Sequence, residues 1–181
     1  HSPGQWRTVR PQPPQQGLMT LQLPSWWQGG FEDVEDLLCD LFTWLLGDTI
    51  PVVTWLVEDY YQNPRPVIRV HRAAGKAVDG LPFDHAIVSI GVLSQSRKDS
   101  WELIGFVRHV MAACQGGFKV PRPDGTHTQI SSVEEWAGPV QAMDEFVDDK
   151  FVSVNYRILV RDGNRRFSPD YYRQILNTLP S

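Results

Sequence analysis

The chain has 181 residues, 41% of them apolar and 21% charged, which suits one globular domain with an added segment and argues against wholesale disorder. Seventeen basic residues face 21 acidic ones, a net charge of −4, which disfavours a protein that grips DNA but is compatible with a surface that DNA passes without adhering. The two cysteines, Cys39 and Cys114, stand apart in apolar stretches with no zinc-type spacing, and no apolar run reaches the ~18 residues of a membrane helix. With no signal-peptide core either, the expectation is a soluble protein, made in a reducing cytoplasm, whose thiols are buried and free.

Residues 1–29 read as an extended N-terminal arm, rich in Pro and Gln, that cannot build a core of its own. Within it Leu18–Leu23 alternates weakly, as an added strand would, and the pair Trp26 and Trp27 marks the arm as a candidate for docking on a neighbouring subunit. Residues 31–46 form the clearest helix, with Phe31, Val34, Leu37, Leu38, Leu41, Phe42 and Leu45 at helical spacing, acids in the first turns and Gly47 at the end. Strands are expected at 50–57, 67–72 and 84–94, separated by a loop at 58–66 and another at 76–83. A capping box, Ser96 to Asp99, opens a second helix with the stripe Trp101, Ile104, Val107, Met111 and Cys114, stopped by Gly116-Gly117.

The stretch 118–149 is irregular, with a short strand expected near 132–142. Phe151 to Asp162 then alternates cleanly, with Val152, Val154, Tyr156, Ile158 and Val160 on one face, and reads as a half-buried antiparallel strand. Residues 163–181 form a C-terminal extension with a short helix near Pro169–Leu176. The order implies an α+β fold over residues 30–162: a mostly antiparallel or mixed sheet with two α-helices packed on one face.

Catalytic motifs are missing: there is no phosphate-binding glycine loop, no H-E-x-x-H and no nucleophile elbow. His71 and His85 fall in neighbouring strands, but no third ligand stands at fixed spacing, so no metal, no cofactor and no enzyme activity are expected. The acids from Glu32 to Asp40 read as a solvated helix face. Contact surfaces are better represented. Tyr60, Tyr61 and Arg65 form an aromatic loop stiffened by prolines on both sides of the arginine, a composition favoured at binding hot spots. Arg157, Arg161, Arg165 and Arg166 make a basic patch suited to a neighbouring subunit's acids, and Asp144, Glu145, Asp148 and Asp149 make a candidate acidic rim that keeps DNA from sticking.

Several segments in order carry a likeness to a known family. They are Asp33-Val34-Glu35-Asp36-Leu37-Leu38, Val53-Thr54-Trp55-Leu56-Val57-Glu58-Asp59, Val67-Ile68-Arg69-Val70-His71-Arg72, Asp84-His85-Ala86-Ile87-Val88, Ser100-Trp101-Glu102-Leu103 and Trp136-Ala137-Gly138-Pro139-Val140. Through them the stretch from Asp33 to Asp162 resembles the tail terminator proteins of long-tailed, siphovirus-type phages of actinobacteria. The resemblance implies a small sheet with two helices. It also implies a structural virion protein forming a hexameric ring on the head-proximal end of the tail tube. Such a ring stops tube growth and then offers the head its docking surface. The partners implied are other copies of the chain, the major tail tube protein and a head-to-tail connector, with DNA passing through the lumen and no membrane. Two other readings stand beside it: a connector or stopper protein of the neck, and a small ligand-binding α/β domain with an enclosed polar pocket.

Overall fold

The computed structural model describes residues 21–141, 150–161 and 168–179. The first helix, α1 (Val34–Leu46), begins later than the apolar spacing suggests because Asp33 takes the N-cap: its Oδ1 accepts the backbone N–H of Glu35 at 2.9 Å and of Asp36 at 3.5 Å. Gly47, at φ 58°, lets the chain turn out of the helix. There follow a two-residue strand β1 (Val52–Val53), a short helix α2 (Glu58–Gln62), and the strands β2 (Val67–Ala77) and β3 (Phe83–Leu93). Helix α3 (Arg97–Ala113) is capped as its sequence indicates, with Ser96 Oγ accepting the Asp99 N–H at 3.1 Å and donating to the Asp99 carboxylate at 2.6 Å. The chain then forms β4 (Phe118–Pro121), β5 (His127–Gln141), β6 (Val152–Arg161) and a C-terminal helix α4 (Pro169–Thr178).

The six strands form one sheet in the order β1-β2-β3-β6-β5-β4. Only β1 and β2 run parallel; every other pair is antiparallel, so the sheet is mixed. Alternation decides which face is covered. Ile68 and Val70 of β2, Val88, Ile90 and Val92 of β3, and Val152, Val154, Tyr156, Ile158 and Val160 of β6 share one face with no more than 2% exposure. They form a single core with Val34, Leu37, Leu38, Leu41 and Phe42 of α1 and Ile104, Val107 and Met111 of α3. Both long helices therefore lie on the same face of an α+β domain, as expected from the sequence.

On the other face, at one end, Phe151 fills the space left by Gly91 and packs with Leu56, Val67 and Leu93, with Tyr60 and Tyr61 resting on this small cluster. The rest of that face carries half-buried polar side chains such as Ser89, Asn155 and Arg157.

Several sequence expectations change, among them the loop expected at 58–66, which holds the short helix α2, and the strand expected near 132–142, which begins at His127. The strand expected at 50–57 shrinks to two residues, because Leu56 is needed in the second cluster while Trp55 and Val57 point outward. The loop expected at 76–83 narrows to 78–82, because pairing continues past a register shift between Arg72 and Ala74 to Ala77↔Asp84. Phe118–Pro121 and the start of β5, His127–Ile130, pair as a hairpin in what reads as an irregular stretch.

Candidate assembly interface

Tyr60, Tyr61 and Arg65 lie together in and just after α2, and Arg65 is tied to its own loop. Its guanidinium sits 4.1 Å from the centre of the Tyr60 ring, bridges to Asp59 at 2.7 Å and donates to the Asn63 carbonyl at 3.1 Å. Bonds from Arg65 first, and from Asn63, hold the Asp59 carboxyl below its ordinary range. The result is a preformed aromatic knob whose arginine is paired within the loop. Beside it in sequence are Trp55, 75% exposed, and Val57, 53% exposed, next to the edge strand β1. By sequence Trp55 reads as an ordinary strand residue. The signal was present in Trp55-Leu56-Val57, since a strand one layer deep can bury only alternate members of such a run.

The opposite end of the sheet ends in β4 and β5. From Ser132 to Gln141, β5 pairs with β6 on one side alone among the described residues. Trp136 and Val140 stand 52% and 58% exposed there. This edge is interrupted by register shifts after Ile130, Glu135 and Ala137, and Pro139 removes one donor. Such an edge resists indiscriminate strand addition and favours a partner shaped to it. Arg108 clamps it from α3 through two 2.9 Å bonds to Glu135.

Of the basic patch, Arg157 is directed into its own subunit: it lies 3.4 Å from Glu134 and 5.7 Å from the centre of the Trp136 ring. Arg161 ends β6, exposed. Arg165 and Arg166, and the acidic residues Asp144, Glu145, Asp148 and Asp149, lie outside the described residues. The alternating strand Val152–Val160 is central, between β3 and β5; its half-polar pattern reflects one covered and one open sheet face. Of Leu18–Leu23, only residues 21–23 are described, outside any strand, with Leu21 80% exposed.

Trp26 meets the chain's other end, whereas Trp27 stands 46% exposed. The Tyr171 hydroxyl donates to the Trp26 carbonyl at 2.9 Å, and the Gln28 N–H donates to the Tyr172 hydroxyl at 3.1 Å. The Trp26 and Tyr172 rings meet edge-on at 6.2 Å. The arm and the C-terminal extension, read from sequence as separate appendages, thus clasp each other. Helix α4 has no buried residue, and Leu176 within it and Leu179 just past its end stand 61% and 48% exposed.

His71 and His85 do not meet: His71 pairs with Ser89, and His85 with Lys76. Among the described residues no group of three His, Cys, Asp or Glu is placed to hold a metal. No described helix is long and apolar enough to cross a membrane. What the arrangement offers is contact: two unlike sheet edges, each flanked by exposed tryptophan, and a clasp of the two chain ends.

A family model described as phage tail termination protein matches residues 30–166. A search of curated proteins finds no match to the chain.

Proposed function

The chain belongs to the phage tail termination protein family, a family of structural tail proteins, and on that premise we propose that six copies form a ring that caps the head-proximal end of the tail tube, stops its growth and presents the surface on which the head docks. A tube grows through a heterologous contact that never closes along its axis. Terminating it takes one face that fits the last ring and another that no tube subunit fits. Around the axis, each copy must meet the next through a contact that does close.

The observation that carries this reading is the pair of unlike edges on one sheet. The β1 end, with Trp55 and Val57, and the bulged β5 edge, with Trp136 and Val140, are non-identical surfaces. A head-to-tail ring needs two such surfaces on every copy, whereas a two-fold dimer needs only one. We assign the Tyr60, Tyr61 and Arg65 knob to the tube or neck, Arg161, Arg165 and Arg166 to a neighbouring copy, and Asp144, Glu145, Asp148 and Asp149 to the rim of a lumen that DNA traverses.

The test is to add purified protein to polymerising tube subunits and measure tube lengths by negative-stain microscopy. Growth should stop, with one ring of density at one end of each tube. Lateral binding, binding to the portal side only, or unchanged lengths would overturn the proposal.

A further inference from the structure

Between the C-terminal end of α1 and the first half of α3 runs a surface groove of about 330 Å³, floored by Leu46, Ile50, Pro66 and Phe106 and edged by Asp99 and Glu102. Its size falls at the low end of the ~300–1,000 Å³ typical of ligand sites. The floor is apolar, so water gains little there, and Phe106 remains 37% exposed. On the rim, Asp99 accepts from Ser96, but the exposed Glu102 has no ionic or hydrogen-bonding partner among the described residues. A fitting occupant combines small rigid apolar groups with a cation.

The chain contains such a segment. From His1 to Phe31 there is no Asp or Glu, and Arg7-Thr8-Val9-Arg10-Pro11-Gln12-Pro13-Pro14 joins two arginines to three prolines. Proline-rich sequence loses little entropy on docking as an extended left-handed helix, and such helices bind in apolar, aromatic-lined grooves. An arginine beside the prolines would meet Glu102 where the groove is acidic.

We propose that Arg7–Pro14 of one copy lies in the α1–α3 groove of the next copy, with Arg7 or Arg10 against Glu102. The inference rests on the ring reading and adds the contact that links successive copies. Reach allows it. Seven Cα–Cα steps lead from Pro14 to Leu21, about 23–25 Å when extended, against a radius of gyration of about 15 Å for a domain of ~150 residues. The described end of the arm is bonded to α4 through Trp26 and Gln28, not to the walls of the groove. Exchange of arms around a ring gives every copy one groove filled and one arm delivered.

The experiment uses the full chain with a photo-crosslinking amino acid in place of Val9, expressed separately in light and heavy isotopes and mixed before assembly. Native mass spectrometry reads the ring, and peptide mass spectrometry reads the crosslinks. The expected result is a ring with arm–α3 crosslinks near Glu102 and Phe106, about half of them between light and heavy chains. Glu102→Arg should cut their yield at least about three-fold, and adding Arg7→Glu with Arg10→Glu should restore it. A ring whose arm crosslinks only elsewhere, or only within a single copy, would overturn this inference and leave the ring reading intact. A protein that stays monomeric under tube-capping conditions would overturn both.

Discussion

Removing the Asp84 carboxylate should loosen one end of the β2–β3 hairpin without unfolding the domain. Arg72 and Asp84 form a fork across the two strands, with one bond of 2.9 Å from Nη2 to Oδ1 and a second, shorter one from Nη1 to Oδ2. The Asp84 side chain is 4% exposed and that of Arg72 33%. The Arg72 N–H also donates to Glu35 Oε1 at 2.6 Å, so the fork stands where the sheet is fastened to α1. Beyond it Ala73–Ala77 are exposed and the turn 78–82 projects, with Leu81 49% exposed. Breaking a buried pair by deleting one partner costs about 3–5 kcal/mol, and the partly solvated arginine places Asp84→Ala near the lower bound, about 3 kcal/mol. Against a total of ~5–15 kcal/mol the protein stays folded. For a chain of this size the melting temperature should fall by about 6–12 °C. Calorimetry reads the shift, and hydrogen exchange should rise first in residues 73–83. Replacing both partners, Arg72→Met with Asp84→Leu, should recover most of the loss, since no charge is then left buried. A drop below about 2 °C, or a double variant as unstable as the sum of the single ones, would show that the fork does not fasten the two strands.

Three further outcomes follow from named contacts. Gly91→Ala places a methyl group within 2.8 Å of Phe151 Cε2; it should cost about 1–3 kcal/mol by displacing that ring, and an unchanged unfolding midpoint would contradict the packing described. Tyr172→Phe removes the oxygen that accepts the Gln28 N–H, so proteolysis near residues 24–30 should accelerate several-fold while the global midpoint moves by less than about 1 °C; equal rates would show that the hydroxyl does not hold the clasp. Burial first, then the nearby carboxylates of Asp36 and Asp40, push the Cys39 thiol up to about 12 from 9.0. Above pH 9 the unfolded chain therefore releases a proton that the folded chain keeps. Stability should fall with rising pH across 9 to 12, by at most about 1.4 kcal/mol per pH unit from this group. Cys39→Ser should flatten that slope, which denaturant titrations at successive pH values will read.

The two long helices and three of the strands are legible from apolar spacing because each buries one continuous stripe on a common core, and α3 even announces its cap in Ser96 and Asp99. Strand order is not legible. The alternation of Val152–Val160 reports one covered and one open face, a pattern shared by an edge strand and by the central position β6 holds. The Phe118–Pro121 strand escapes notice because four residues carry no period, and its identity comes from pairing with His127–Ile130 across a turn. The clasp between Trp26 and Tyr172 joins residues 146 positions apart, beyond the reach of any local pattern. Of the candidate contacts, the Tyr60, Tyr61 and Arg65 loop stands out by composition, whereas the exposure of Trp55 depends on how briefly β1 pairs.

Cryo-electron microscopy of the intact particle locates this chain in the density. A closed ring of six copies is expected between the last ring of the tail tube and the neck, in which the β1 end of each sheet faces the β5 edge of the next. Density for the chain in the capsid wall or at the tail tip, or isolated copies that do not touch one another, would contradict it.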